Sequence, residues 1–268
     1  MFVYTLTAFF LYCNHRMSKT RKSKLTPYVP PTSAAGSAFT YLLETSPAVQ
    51  HAASFLETHI PVYARQPSLD NLYDGSIQRL RHFMTKSECQ DAIALAKRIG
   101  FAHVFHPQTS EYAFRDNDRL LLRSPALASQ LWERLRPLLP PSLDKAVGCN
   151  PAIKFYRYRT GQAFGCHVDE SVVDEPTSTE SRYTLLVYLN DSADSGLVGG
   201  ATRFYVSTSS RRASKKSKKE PKECALDVMP ETGMVLMHGH GDHCLEHEGA
   251  RVDGGEKYVL RTDVMFPL

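Results

Sequence analysis

From Val147 onward the chain breaks into short apolar runs separated by turn residues. They cover 152–158, 163–168, 182–189, 201–206, 233–238, 244–247 and 256–266. No βαβ alternation is present. Parallel strands need long crossovers, usually helical, so this pattern predicts antiparallel pairing. Seven short strands of this kind fit a double-sheet β-barrel of the jelly-roll kind.

The residues upstream read differently. In "FMTKSECQDAIALAKRIG", Thr85 is placed to cap a helix and Glu88 follows three residues later, as in a capping box. Ile93, Leu95, Ala96 and Ile99 form its apolar face and Gly100 ends it. "SPALASQLWERLRPLLPP" predicts a second amphipathic helix stopped by prolines. Between them, "AFRDNDR" (113–119) reads as a charged loop with local ion pairs, or as a lining for the mouth of a site. Residues 41–58 suit a further short helix. The expected organisation is a flexible arm over 1–40, a helical lead-in and support region over 41–147, and a barrel over 148–268.

Charge is unevenly placed. The net charge is +4, but Arg16, Lys19, Arg21, Lys22 and Lys24 supply one basic run, and 207–223 holds seven Lys or Arg against two Glu. About six net negative charges remain for the rest, which argues against a basic nucleic-acid face on the core. The stretch 207–223 has almost no apolar residues and reads as an exposed loop between two strands. Its "RRAS" makes Ser214 a candidate phosphorylation site, and "KKSKK" a candidate nuclear or electrostatic contact. Six cysteines with no CxxC pair predict reduced thiols in an intracellular compartment, cytoplasmic or nuclear. The apolar start "MFVYTLTAFFLYC" is too short for a stable membrane span. It is read as a signal anchor or as a segment upstream of a later start at Met17.

Three elements carry chemistry. In "GCHVDESV", His167 and Asp169 stand two apart, so on a strand they share a face and could hold adjacent positions on one ion. "MHGHGDHCLEHEGARV" supplies His238, His240, His243 and His247. Two imidazoles and one carboxylate make the facial set of non-haem Fe(II) oxygenases, but spacing to His167 does not choose among the four. His238, His240 and His243 read as polar residues of a strand end and loop. A zinc site combining them with Cys244 is the alternative, although HxHxxHC is not a usual zinc spacing. Finally, Lys257, Val259 and Arg261 alternate on one face of a strand, and a buried cation there calls for an anion such as a carboxylate.

These residues stand in a recognisable order: "YRTGQAFGCHVD", "YTLLVYLND", "GGATRFY", "HEGARVDGGEKY". Roughly 150–268 resembles the Fe(II)/2-oxoglutarate-dependent dioxygenases of the prolyl 4-hydroxylase type. The resemblance implies a mainly β fold of the α+β class: a double-stranded β-helix (jelly-roll) with the N-terminal helices packed against one sheet. It implies that His167, Asp169 and His247 ligate Fe(II), and that Lys257 binds the distal carboxylate of 2-oxoglutarate. Arg261 lies on the same face and is the alternative anchor. Tyr188 would donate to the same carboxylate, with Tyr158 and Thr184 lining the pocket. The implied activity is hydroxylation of a C–H bond on a protein or peptide substrate, using dioxygen, releasing succinate and CO2, with ascorbate as reductant. The presence of Asp169 excludes the related halogenases, which carry a small residue there. Oxidation of a small molecule or methylated base, and a catalytically silent binding module, are the competing readings.

Overall fold

The structure is a computed structural model that describes residues 67–207 and 222–268. The expected arm, the 41–58 helix and nearly all of the basic loop, Ser214 included, lie outside the described residues.

Sixteen strands are described: β1 (Ser68–Tyr73), β2 (Ile77–Arg81), β3 (Ala102–His106), β4 (Arg115–Arg123), β5 (Gly148–Cys149), β6 (Ala152–Arg159), β7 (Ala163–His167), β8 (Val173–Asp174), β9 (Thr179–Tyr188), β10 (Val198–Gly199), β11 (Thr202–Ser207), β12 (Lys222–Val228), β13 (Val235–Gly239), β14 (Glu246–Gly249), β15 (Val252–Gly254) and β16 (Glu256–Pro267). Two longer helices, α1 (Lys86–Ile99) and α2 (Pro125–Leu135), precede the main strand run. Every pairing is antiparallel, in the order β1-β2-β13-β9-β16-β6-β4-β7-β14-β11-β12. The result is a mainly β, nearly closed antiparallel barrel that matches a double-stranded β-helix. Each of the seven expected runs is a strand within one or two residues, save that the 182–189 run starts three residues earlier, at Thr179.

Strand alternation divides the apolar residues into two cores. Outward-facing Ile153, Phe155, Leu185, Val187 and Leu260 join Leu95 and Leu131 of the helices in one core. Inward-facing Tyr156, Tyr158, Tyr188, Leu236 and Val259 form the other, inside the barrel. The helices therefore cover one sheet and leave the barrel interior to chemistry.

Helix α1 starts as the sequence predicts. Thr85 and Glu88 exchange hydrogen bonds in a capping box, and Gly100 closes the helix at φ 102°. Glu88 also ties the two helices together, through an ion pair of 2.7 Å to Arg134 with both side chains buried.

Two expectations need correction. The segment before 148 is not only helical, because β1 to β4 all join the barrel's sheet. And "AFRDNDR" is not a solvated loop: most of it is the start of β4, with Asn117 and Asp118 fully buried. Asp118 is tolerated there because Arg157 reaches it at 2.7 Å and Arg159 at 3.1 Å.

Candidate metal centre

Strands β7 and β14 pair so that His167 and His247 stand directly opposite. Asp169 follows β7 by two residues and its side chain turns back under both rings. One ligand atom each from His167, Asp169 and His247 lies within 4.8 Å of the others. Asp169 Oδ1 is 3.7 Å from His167 Nε2, and its Oδ2 is 3.8 Å from His247 Nε2.

The imidazoles are prepared for a metal by their other nitrogen. His167 Nδ1 lies 2.9 Å from the Gly165 carbonyl and His247 Nδ1 lies 3.0 Å from the Leu245 carbonyl. A carbonyl can only accept, so each Nδ1 carries the proton and each Nε2 presents a lone pair to the cluster. Burial keeps both rings neutral, lowering His167 to about 3 and His247 below its ordinary value. Phe164 stacks on His167 at 3.7 Å, and the Arg115 guanidinium sits 3.6 Å over the Phe164 ring. Of the "AFRDNDR" residues, Arg115 thus comes nearest the centre.

Asp169 is anchored from behind. Thr184 Oγ1 donates to it at 2.7 Å, and Arg261 reaches both of its oxygens. Burial alone would raise this carboxyl, but Arg261 and the surrounding imidazoles hold it well below the usual carboxylate range. Arg261 also approaches Asp263 at 3.4 Å.

Residues 153–262 match the model of the 2OG-Fe(II) oxygenase superfamily. Solved structures with similar folds include a viral collagen prolyl hydroxylase from Paramecium Bursaria Chlorella virus-1. It is 17% identical, with 71% of this chain and 96% of that chain covered at a TM-score of 0.48. A Pseudomonas putida prolyl-4-hydroxylase is 14% identical over 72% and 93%, with a TM-score of 0.44. A Burkholderia pseudomallei oxidoreductase of the 2OG-Fe(II) oxygenase family is 11% identical over 84% and 94%, with a TM-score of 0.48. No curated protein sequence matches the chain.

The barrel holds a cavity beside the cluster, lined among others by Tyr156, Tyr158, Thr202, Lys257 and Arg261. Lys257, Val259 and Arg261 all face it, as strand alternation predicts. The two cations differ sharply. Arg261 is committed to Asp169 and Asp263. Lys257 is 4% exposed and donates only to the Gly200 carbonyl, at 2.6 Å. No carboxylate pairs with it among the described residues, and burial lowers it to about 7. Gly199 and Gly200 form the turn beside it, with φ of 74° and 72°. A Cβ at Gly200 would come 3.1 Å from Lys257 Cδ, so this turn lets the lysine reach the backbone carbonyl.

Tyr188 is fully buried, and its hydroxyl is 2.7 Å from Thr202 Oγ1. Thr202, rather than Tyr188, lines the cavity. Tyr158 lines it as well, and burial raises its phenol to about 12. Thr184 lines it and holds Asp169.

Sequence reading missed three residues here. Tyr156 lines the cavity two positions before Tyr158, a period-two signal that was available. Burial opposes ionisation of its phenol, but Arg119, Arg261, Lys154 and Arg115 outweigh it and lower the group to about 7. His238, near the end of β13, and His240, just past it, are both buried rather than ordinary exposed polar residues. His240 joins the Asp169–Thr184 chain, with Nε2 2.8 Å from Thr184 Oγ1. His238 faces Asp169 Oδ2 at 3.8 Å. Only His243 of that run sits on an exposed turn. No helix among the described residues is long and apolar enough to cross a membrane.

Proposed function

We propose that this barrel is a non-haem Fe(II)- and 2-oxoglutarate-dependent dioxygenase that hydroxylates a C–H bond of a protein side chain, with prolyl residues as the substrate class. The observation that carries the co-substrate reading is Lys257: a buried ammonium with no carboxylate partner among the described residues, facing the same cavity as the His167–Asp169–His247 cluster. A buried cation of this kind is costly until an anion reaches it.

His167 Nε2, His247 Nε2 and an Asp169 oxygen would hold Fe(II), the two-imidazole, one-carboxylate donor set that suits it. Bound iron, with 2-oxoglutarate and dioxygen, supplies the oxidising power that couples decarboxylation to succinate and CO2 with transfer of oxygen to the substrate. Ascorbate serves as external reductant. Lys257 would donate to the distal carboxylate of 2-oxoglutarate, and Thr202, positioned by Tyr188, would offer a hydroxyl beside it. Tyr158 forms part of the pocket wall. Thr184 and Arg261 keep Asp169 ionised and oriented. The choice of protein substrate rests on the ordered motifs around His167, Tyr188, Thr202 and His247, which follow the prolyl 4-hydroxylase pattern.

Anaerobic titration of metal-free protein with Fe(II) and then 2-oxoglutarate tests the centre. A weak visible charge-transfer absorption is expected, lost in Asp169→Ala and weakened in Lys257→Ala. A folded wild type that gives no such absorption would overturn the reading. Succinate release stimulated by proline-containing peptides then tests the substrate class.

A further inference from the structure

Beside the cluster, the Cys244 thiol meets the Nδ1 edge of two imidazoles. Its Sγ lies 3.8 Å from His238 Nδ1 and 3.7 Å from His247 Nδ1. A tetrahedral zinc ion, with bonds of about 2.3 Å to sulfur and 2.0–2.1 Å to nitrogen, separates those ligand atoms by roughly 3.6 Å. We propose that Cys244, His238 and His247 form a second cation site, of the thiolate–imidazole class that zinc favours, which shares His247 with the iron cluster and so cannot be filled together with it. The exclusion rests on the iron reading above; the site itself does not.

His238 points to a ligand independently. Its side chain is 1% exposed, yet Nε2 has no hydrogen-bond partner among the described residues. Its Nδ1 has only long contacts, at 3.3 Å to the Gly239 carbonyl and 3.8 Å to Cys244. A buried imidazole left this poorly satisfied is expensive. A cation on Nδ1 would place the ring proton on Nε2, where Asp169 Oδ2 stands 3.8 Å away.

His247 explains the exclusion. Its Nδ1 donates to the Leu245 carbonyl, which frees Nε2 for iron. A cation on Nδ1 moves that proton to Nε2 and removes the lone pair the iron needs. Cys244 is only partly buried, so an ion can approach from its side, and the backbone N–H of Asp169 donates to its sulfur at 3.4 Å. Binding releases the thiol proton to solvent, and the fourth tetrahedral position is left to water.

Cobalt(II) is the probe, because it adopts zinc's tetrahedral geometry and gives a near-ultraviolet thiolate charge-transfer band only when sulfur is bound. Metal-free wild type should develop this band. Cys244→Ser should lose it while keeping the Fe(II)–2-oxoglutarate absorption, which shows that the variant is folded, and His238→Phe should weaken it. Loading with Fe(II) and 2-oxoglutarate beforehand should suppress it. A wild type that forms the iron chelate but shows no thiolate band overturns the site, as does a band that survives in Cys244→Ser. A band indifferent to iron loading overturns the shared ligand. A thiolate band in protein that never forms the chelate sinks the iron reading and leaves the second site standing.

Discussion

Arg261 and Asp169 form a two-point ion pair inside the barrel: Nη1 lies 3.2 Å from Oδ1, and Nη2 3.2 Å from Oδ2. The guanidinium thus sits behind the carboxylate, while the imidazoles of His167 and His247 face it from the cavity. A carboxylate has about four lone-pair sites, so Arg261 and a metal can be served at once. The pair keeps Asp169 charged in a place where burial alone would neutralise it.

Removing that guanidinium should hurt the metal-free protein most. In Arg261→Met, Asp169 and Asp263 are left buried without their cation, and a loss of about 3–5 kcal/mol is expected. Urea unfolding of the metal-free variant measures this, and Fe(II) should recover part of the loss by neutralising Asp169. Unchanged stability would mean that the ion pair contributes nothing net. A raised 2-oxoglutarate requirement in this variant, with none in Lys257→Ala, would transfer the anchor role to Arg261.

Lys257→Met should have the opposite sign. The native lysine, lowered to about 7, gives up its proton between pH 7 and its ordinary value of 10.5, whereas the unfolded chain keeps it. The unfolded state therefore binds more protons in that window, and wild-type stability should rise with pH across it, by at most about 1.4 kcal/mol per pH unit. The variant should be more stable than wild type at pH 7, should lose this slope, and should bind 2-oxoglutarate poorly. Thermal melts from pH 7 to 10 check the first two points and the visible absorption checks the third. In wild type, 2-oxoglutarate affinity should fall as pH rises above 7, because the free lysine must then take up a proton to bind the carboxylate.

The ligand imidazoles predict behaviour in acid. His167, lowered by burial to about 3, stays neutral in the fold while the unfolded chain protonates near 6.5. Stability contributed by this ring is complete above pH 6.5 and is lost as pH falls from there toward 3. In folded protein the lone pairs persist, so metal affinity should change little between pH 7.5 and 6, as followed by Mn(II) binding. A tenfold loss over that interval would show that the rings protonate in the fold.

How much of this was legible depended on whether a residue's partner is close in sequence. The strands of the barrel announce themselves because each is half apolar and bounded by turns, and Lys257 and Arg261 declare their shared face by alternation alone. β4 was obscure because "RDNDR" looks solvated until Arg157 and Arg159, about forty residues downstream, are brought against Asp118. His238 was obscure for the converse reason. Every residue of β13 is buried, so a polar residue at its end has no water to face. The hydroxyl of Tyr188 was expected to point at the co-substrate, but its pairing with Thr202 depends on how β9 and β11 come together, which no local pattern encodes.

Glu88 gives a prediction about the scaffold rather than the centre. Its carboxylate accepts from the Thr85 backbone at 2.8 Å and from Arg134 at 2.7 Å and 2.9 Å, so one side chain caps α1 and clamps α2 to it. Glu88→Ala removes the return half of the capping box and leaves the Arg134 guanidinium, 8% exposed, without its main partner. A loss of about 3–5 kcal/mol is expected, as for any buried pair broken on one side. Because these helices cover the outer face of the sheet, the Fe(II)–2-oxoglutarate absorption of the folded variant should be unchanged at low temperature while its urea midpoint falls. A variant that keeps its midpoint but loses the absorption would show that the helical layer shapes the centre directly.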